Sequence, residues 1–222
     1  MKIKKLKKIL AVALIVALSI NFTCPVYAES QQNMIVQNET VNQGFEYVIQ
    51  TEKLSLQSSN PNISGEIQEE TTDLLDLNDG LILMLDEKAQ VISNGYFGGN
   101  NISTESNIYS KDVYSADASK VNVNHTIITE KNIYLTGEMV YGENAILYSK
   151  YGDITFNCNN LTDFKGIIYA PNGNVYLNGN NVKIEGAIIA KEIYVQSNNF
   201  TVTRNNDIAV SLDNIGYTRI DQ

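Results

Sequence analysis

The sequence predicts an all-β protein that folds as a solenoid, with stacked strand-turn coils of about 20 residues. Three segments carry this prediction because each has a small residue, an apolar pair, a polar turn and then alternating apolar positions. They are AILYSKYGDITF (145–156), GIIYAPNGNVYL (166–177) and GAIIAKEIYV (186–195). Residues 107–115 and 125–135 repeat the pattern more loosely. Such coils cannot bury an apolar face alone, so we expect each to stack on its neighbours.

The period of the repeat follows from the first apolar residue after each turn. These markers are Val113, Ile133, Ile154, Val175 and Ile193, which are separated by 20, 21, 21 and 18 residues. A β-sandwich also has short strands at spacings of roughly 8–12 residues. A sandwich, however, does not require the same tetrapeptide to recur once per coil, so the spacing favours the solenoid.

Glycine and asparagine mark the predicted corners. Both tolerate positive φ, which a chain needs at a sharp turn between short strands. Gly166 and Gly186 each precede an apolar pair, and we expect adjacent backbones to approach closely there. Asparagines recur at equivalent corners and are expected to stack in ladders along the axis: Asn157, Asn159, Asn160, Asn180, Asn181, Asn198 and Asn199.

The N-terminus has the order of a signal peptide, and we expect export to the cell surface or the medium. A lysine-rich start is followed by an apolar run from Ile9 to Phe22 and by a small-residue site at Ala28. The apolar run is shorter than the roughly 20 residues that span a bilayer. We therefore expect cleavage after residue 28 and no stable membrane anchor afterwards.

The remaining chain divides into a lead and one β-helix domain. Residues 29–52 are expected to be an unstructured lead or a cap, and residues 53–210 the β-helix, with the clearest repeats in 107–204. Residues 53–67 alternate like a first coil, and about 68–89 fit neither period and are interpreted as an insertion with a short helix or edge strand. Residues 211–222 form a C-terminal tail.

Charge and cysteine content exclude some functions. The formal net charge is −9, and removal of five lysines with residues 1–28 makes the remaining chain more acidic. Nucleic acid and anionic lipid repel such a chain, so neither is an expected partner. Cys158 is then the one remaining cysteine, which rules out an intramolecular disulfide and makes packing the source of stability.

The repeat segments also resemble known families. LYSKYGDIT, GIIYAPNGNVYL and EGAIIAKEIYV are similar to the β-helical repeat region of large secreted or surface proteins of low-GC Gram-positive bacteria and of some type IV pilus accessory proteins. More distantly, the stacked short strands resemble bactofilins. The resemblance covers roughly residues 107–204 and implies a right-handed parallel β-helix with a structural or surface-display role. It assigns no activity to named residues.

Two pairs of residues are candidates for an outer-face binding site. Asp153 and Glu192 precede their markers, while Tyr176 and Tyr194 follow theirs and so point outward. The acids have the appearance of a solvated corner column, and an outward tyrosine column could stack on sugar rings. His125 is the single histidine, so neither a multi-histidine zinc site nor a catalytic triad is supported.

These observations predict a non-enzymatic, extracellular structural scaffold with no catalytic residue, cofactor or metal. Its expected partners are further copies of itself, through coil stacking, or a polymer of the cell wall or surface. The alternative is an extracellular module that binds or cleaves carbohydrate with the outer tyrosines and corner acids.

Overall fold

The computed structural model describes residues 47–71, 74, 90–92 and 95–205. The predicted signal peptide 1–28, most of the predicted insertion and the predicted tail 211–222 lie outside these residues. No helix in the described ranges is long and apolar enough to cross a membrane. The strands, in chain order, are β1 (Tyr47–Ser64), β2 (Glu66–Gln68), β3 (Gln90–Ile92), β4 (Gly95–Ser103), β5 (Ile108–Ser110), β6 (Tyr114–Val123), β7 (Ile127–Thr129), β8 (Ile133–Ser149) and β9 (Ile154–Thr203).

All strand pairs are parallel, and the predicted solenoid is confirmed. Tyr114 pairs with Ile133, and Ile133 pairs with Ile154, so these coils are 19 and 21 residues long. Strand β9 extends over 50 residues because the chain stays in extended conformation around several corners. Alternate residues point into the coils, and one continuous apolar core follows the axis through Val121, Val140, Leu161, Val182 and Val202.

The marker of one coil differs from the sequence interpretation. Tyr114, not Val113, is in register with Ile133, and Tyr114 is buried whereas Val113 is half-buried. The Val113 carbonyl accepts hydrogen bonds from the Gly95 backbone N–H and from the Ser110 hydroxyl, which places Val113 in the corner. A β-branched residue before the strand therefore shifted the apparent period by one residue.

The N-terminal coil occupies an unexpected place. Strand β1 pairs with the last coil of β9, with Leu54 opposite Ile193 and Leu56 opposite Val195. The stretch 53–67 resembles the repeat, but it stacks at the C-terminal end of the solenoid and not before the coil at residue 90. Strand β2 adds to the same end by pairing with Tyr47 to Gln50. The order of the coils in space thus differs from their order in sequence.

Each coil contains two kinds of strand. In residues 154–158, 175–179 and 193–197, apolar inward residues alternate with polar or tyrosine residues on the outer face. We call these the open-faced strands. In 145–149, 167–170 and 187–190 every residue is buried, on the outer face as well as the inner one. We call these the doubly buried strands, and their nearly unbroken apolar sequences are typical of parallel strands covered on both faces.

At the corner before a doubly buried strand, a glycine permits adjacent coils to approach closely. Gly166 has a φ of 157°, and a Cβ added there would lie 1.9 Å from the carbonyl oxygen of Ala145 in the preceding coil. Gly186 has a φ of 154° at the equivalent corner. The close approach predicted for Gly166 is therefore present, and any side chain at this position would force adjacent coils apart.

Candidate functional site

The acidic corner residue Asp153 takes part in hydrogen bonds between coils. Its backbone N–H donates to the Oδ1 atom of Asn132 at 2.8 Å, and its own Oδ1 accepts from the Asn174 backbone N–H at 2.8 Å. Side chains of one coil thus satisfy backbone donors of the next, where a tight corner leaves no strand partner. Asp153 therefore has a clear structural role in joining three successive coils.

Glu192, two coils from Asp153 along the axis, has different partners. The hydroxyl of Tyr194 donates a hydrogen bond to its Oε2 atom, and the Lys53 ammonium lies 3.5 Å from the same oxygen. The Tyr194 hydrogen bond, followed by the positive charge of Lys53, lowers the pKa of Glu192 below its ordinary value. The same hydrogen bond raises the pKa of Tyr194. Lys53 belongs to β1, so this contact also ties the N-terminal coil to the last coil.

The two predicted tyrosines form a stacked pair. The ring centroids of Tyr176 and Tyr194 are 5.1 Å apart and the ring planes differ by 8°. Asn174 donates a hydrogen bond to the Tyr176 hydroxyl at 3.2 Å, and Lys53 lies 5.7 Å from the centroid of the Tyr194 ring. Each ring therefore turns one face to the other tyrosine, and the second face of Tyr194 meets a cation. These three ring faces are therefore not open to a sugar.

The environment of Glu192 does not suit a general acid. Asn174 separates Asp153 from Glu192 in the column, which sets them two coils apart, or about 10 Å along the axis. A general acid in a glycosidase needs a raised pKa, whereas the pKa of Glu192 is lowered. Among the four predicted site residues, the structure brings together Tyr176, Tyr194 and Glu192, and it separates Asp153 from them.

The predicted asparagine ladder is present. Asn181 donates to Asn160 at 2.7 Å, Asn199 donates to Asn181 at 2.7 Å, and Asn60 of β1 donates to Asn199 at 3.0 Å. Asn198 also donates to Asn180 at 3.1 Å in the adjacent position. Asn181 and Asn199 each donate to one neighbouring coil and accept from the other, so the ladder fixes the register of the corners. Asn157, which was predicted to join such a ladder, instead lies on the outer face of its strand.

Asn157 belongs to a surface feature that the sequence interpretation missed, which we call the amide trough. Its volume is about 650 Å³. It has an outer row of amides, a corner row of mostly asparagines and a floor of mostly small residues. The outer row consists of Gln57, Asn157, Asn178 and Gln196. The corner row consists of Ser59, Asn159, Asn180 and Asn198, and the floor consists of Ser58, Gly137, Cys158, Gly179 and Ser197.

The sequence contained a signal for this trough. Asparagine or glutamine recurs two residues apart on either side of a small residue, as in Asn157-Cys158-Asn159, Asn178-Gly179-Asn180 and Gln196-Ser197-Asn198. At Gly179 the missing side chain allows the backbones to approach closely, because a Cβ there would lie 2.2 Å from the carbonyl oxygen of Cys158. The amides on both sides then stand above a low floor.

Other reactive groups in the described residues are engaged or inert. Burial raises the pKa of Cys158 to about 12, so its thiol stays protonated and unreactive at neutral pH. The His125 Nδ1 atom lies 2.8 Å from the carbonyl oxygen of Thr104. Over the described ranges, no cluster of three or more histidine, cysteine or acidic residues could hold a metal ion, and each buried side-chain nitrogen or oxygen has a hydrogen-bond partner.

Comparison with known families gives a match over most of the chain. Residues 46–210 match the family described as "Domain of unknown function (DUF7305)", a range that includes nearly all of the described solenoid. No curated protein matches the chain. No solved structure matches it either.

Proposed function

The chain belongs to the DUF7305 family, and we propose that it is a non-enzymatic structural scaffold, exported to the cell surface, that associates end to end by coil stacking. One observation carries the proposal. At the β1 end the inward residues Leu54, Leu56 and Ile63 are only half-buried, whereas their register partners in the preceding coil are fully buried. Another coil placed on this end would complete their burial.

The hydrogen-bonding groups at this end support the same contact. In the described residues β2 covers β1 only from Tyr47 to Gln50, so the far side of residues 53–64 has no strand partner there. Over the ranges that the structure describes, the asparagine ladder also ends at Asn60, which donates to Asn199 and receives no amide hydrogen bond from another coil. An unpaired parallel edge of this kind is a template for another strand.

The opposite end supplies a surface of matching character. Strand β4 pairs with β6 on one side, and Tyr96 and Phe97 are exposed there. Contact between two different ends of the same molecule is heterologous, so it generates open chains of molecules and not closed dimers. Lys53 and Pro61 on the β1 edge are residue types that discourage strand pairing. We therefore expect the association to be weak and concentration-dependent.

Export and surface location rest on the sequence. The signal-peptide order of residues 1–28 supports them, as does the resemblance of the repeat segments to secreted and surface proteins of Gram-positive bacteria and to pilus accessory proteins. A structural role without chemistry fits the contacts of Asp153 and Glu192, because both carboxylates are used to join coils. These contacts weigh against the alternative in which the same residues cleave carbohydrate.

Light scattering coupled to size-exclusion chromatography tests the association. We expect the average mass of the purified chain to rise with concentration. Leu56→Lys places a charge in the β1 end and should hold the mass at that of a monomer, whereas Ser119→Lys, at an exposed position of β6, should not. A constant monomer mass for the unmodified chain at every concentration would overturn end-to-end assembly.

Activity assays test the non-enzymatic part. Asp153→Asn and Glu192→Gln keep the size of each side chain and remove its charge. We expect no release of sugars from cell-wall or plant polysaccharides by the unmodified chain. A sugar-releasing activity that either substitution abolishes would contradict the proposal.

A further inference from the structure

The amide trough extends along the solenoid axis and crosses four coils. Gln57 is in register with Gln196. Gln196, Asn178 and Asn157 each lie three residues before the ladder residues Asn199, Asn181 and Asn160, which bond from coil to coil. The outer row is therefore in register as well. Neighbouring coils are about 4.8 Å apart, so the outer row is roughly 14 Å long. A straight trough of this length fits an extended chain and not a compact ligand.

The amides of the outer row are available to a ligand. Within the described part of the chain, Gln57, Asn157, Asn178 and Gln196 make no side-chain hydrogen bond, while the asparagines of the ladder, three residues farther along, bond to one another. The outer row mixes asparagine with the longer glutamine, so its amides do not form one level ladder. Four side chains in a row thus keep their donors and acceptors directed to solvent.

The chemistry of the trough selects the class of ligand. Each amide offers two N–H donors and an oxygen acceptor, which suits hydroxyl groups, because a hydroxyl both donates and accepts. None of the residues that line the trough is charged, so phosphate or carboxylate groups would find no counter-ion there. The volume of about 650 Å³ lies in the range of small-molecule sites, roughly 300–1,000 Å³, and is sufficient for a few sugar rings.

From this geometry we propose that the amide trough binds an extended, uncharged, β-linked polysaccharide chain. The repeat of the amides at every coil matches a polymer that presents hydroxyl groups at regular intervals. A β-1,4-linked glucan is straight and fits the trough, whereas an α-1,4-linked glucan coils away from it. The stacked tyrosines and the acids are not among the residues that line the trough, although Tyr176 and Tyr194 lie two residues before Asn178 and Gln196 on the same face. The site does not depend on end-to-end assembly.

Binding is expected to be weak. The trough is open to solvent and has no aromatic platform of its own, so hydrogen bonds that replace those to water supply most of the affinity. We expect dissociation constants of roughly 0.1–10 mM for a hexasaccharide, since net gains per hydrogen bond are small. Several troughs on one assembled scaffold would strengthen attachment to a polymer through multivalency.

Titration of the purified chain with cellohexaose, followed by two-dimensional NMR, tests the proposal. We expect saturable shifts of the side-chain amide signals of Asn157, Asn178 and Gln196. The double variant Asn178→Ala with Gln196→Ala should weaken binding roughly ten-fold or more, because two amides are lost. The matched control, Asn62→Ala with Asn101→Ala, removes two exposed amides outside the trough and should leave affinity unchanged.

Three results would overturn the proposal. The first is the absence of shifts in the trough at 10-fold the highest expected dissociation constant, about 100 mM, or at the solubility limit of the sugar. The second is binding that the trough variant retains in full while circular dichroism shows that its fold is intact. The third is equal affinity for maltohexaose, which would contradict the requirement for an extended chain. None of these outcomes depends on the self-association assay.

Discussion

The doubly buried strands and the open-faced strands belong to the same coils and recur at the same spacing, but their outer faces differ in burial. Tyr169, on the outer face of a doubly buried strand, has no exposed surface, whereas Tyr176, on the outer face of the next open-faced strand, is half-buried. Both have an aromatic neighbour one coil away, Tyr148 at 4.9 Å and Tyr194 at 5.1 Å. An outward position in a solenoid therefore does not by itself determine exposure.

This difference in burial indicates which strands can bind a ligand. A strand that is packed on both faces stabilises the fold and offers nothing to a ligand. An open-faced strand repeats polar groups at each coil, and those that are not used between coils are available for binding. The unbroken apolar runs and the alternating runs in the sequence report this difference directly.

Substitution of one tyrosine in each kind of strand should show the difference between the doubly buried and the open-faced strands most clearly. Tyr169→Ala is expected to lower the free energy of unfolding by about 3–5 kcal/mol, because a buried aromatic side chain leaves a cavity. Tyr176→Ala should cost about 1 kcal/mol, since it removes one ring contact and a partly exposed hydroxyl. Urea denaturation of both variants measures the difference. Equal losses would refute the distinction between the two strands.

A second comparison concerns two glycines with nearly the same backbone angle. Gly166 precedes a doubly buried strand and Gly99 lies in β4, with φ of 157° and 154°. A Cβ on Gly99 meets nothing within 4 Å, whereas one on Gly166 would overlap the Ala145 carbonyl. Alanine at either position costs about 1–3 kcal/mol in backbone strain. Gly166→Ala should therefore lower the free energy of unfolding by at least about 1 kcal/mol more than Gly99→Ala does, as measured by thermal or urea unfolding. If Gly166→Ala instead lowered it less than Gly99→Ala, the coils would be shown to separate easily.

A smaller difference in stability is expected between two asparagines of the same coil, Asn178 and Asn181. Asn181→Ala removes a donor to Asn160 and an acceptor for Asn199, so we expect a loss of about 1–2 kcal/mol. Asn178→Ala removes an outward amide of the trough and should change stability by less than about 0.5 kcal/mol. Urea midpoints give both values. A large loss for Asn178→Ala would mean that the trough is structural.

The smallest expected effect concerns the pKa of Glu192. Its hydrogen bond from Tyr194 and the charge of Lys53 lower this pKa, so the carboxylate stabilises the folded state above its ordinary pKa of about 4.3. That contribution is lost as the pH falls through the lower, folded-state pKa. A carboxyl ¹³C titration should give a pKa below that of an ordinary glutamate for Glu192 in the unmodified chain and a higher pKa in Tyr194→Phe. An unchanged pKa in this variant would contradict the hydrogen bond as the main cause.

The sequence was sufficient to predict the solenoid, its period, the asparagine ladder and the close corner at Gly166, because each follows from residues that recur at coil spacing. It misplaced the N-terminal coil, since alternation in residues 53–67 reports a coil but not its neighbour. The marker Val113 was wrong by one residue because apolar character alone does not distinguish a corner from a strand. The trough was missed because single asparagines were assigned to ladders without regard to which face they occupy.

The stacking of β1 on the last coil extends the trough to Gln57 and creates the end that we propose for assembly, so it is the most important point to test. Paired cysteines at Gln57 and Gln196 are in register on adjacent parallel strands, within the Cα separation of about 4.4–6.8 Å that a disulfide needs. We predict that mild oxidation joins this pair and leaves the pair at Gln57 and Asn157, three coils apart, unlinked. A disulfide in the second pair but not in the first would contradict the account.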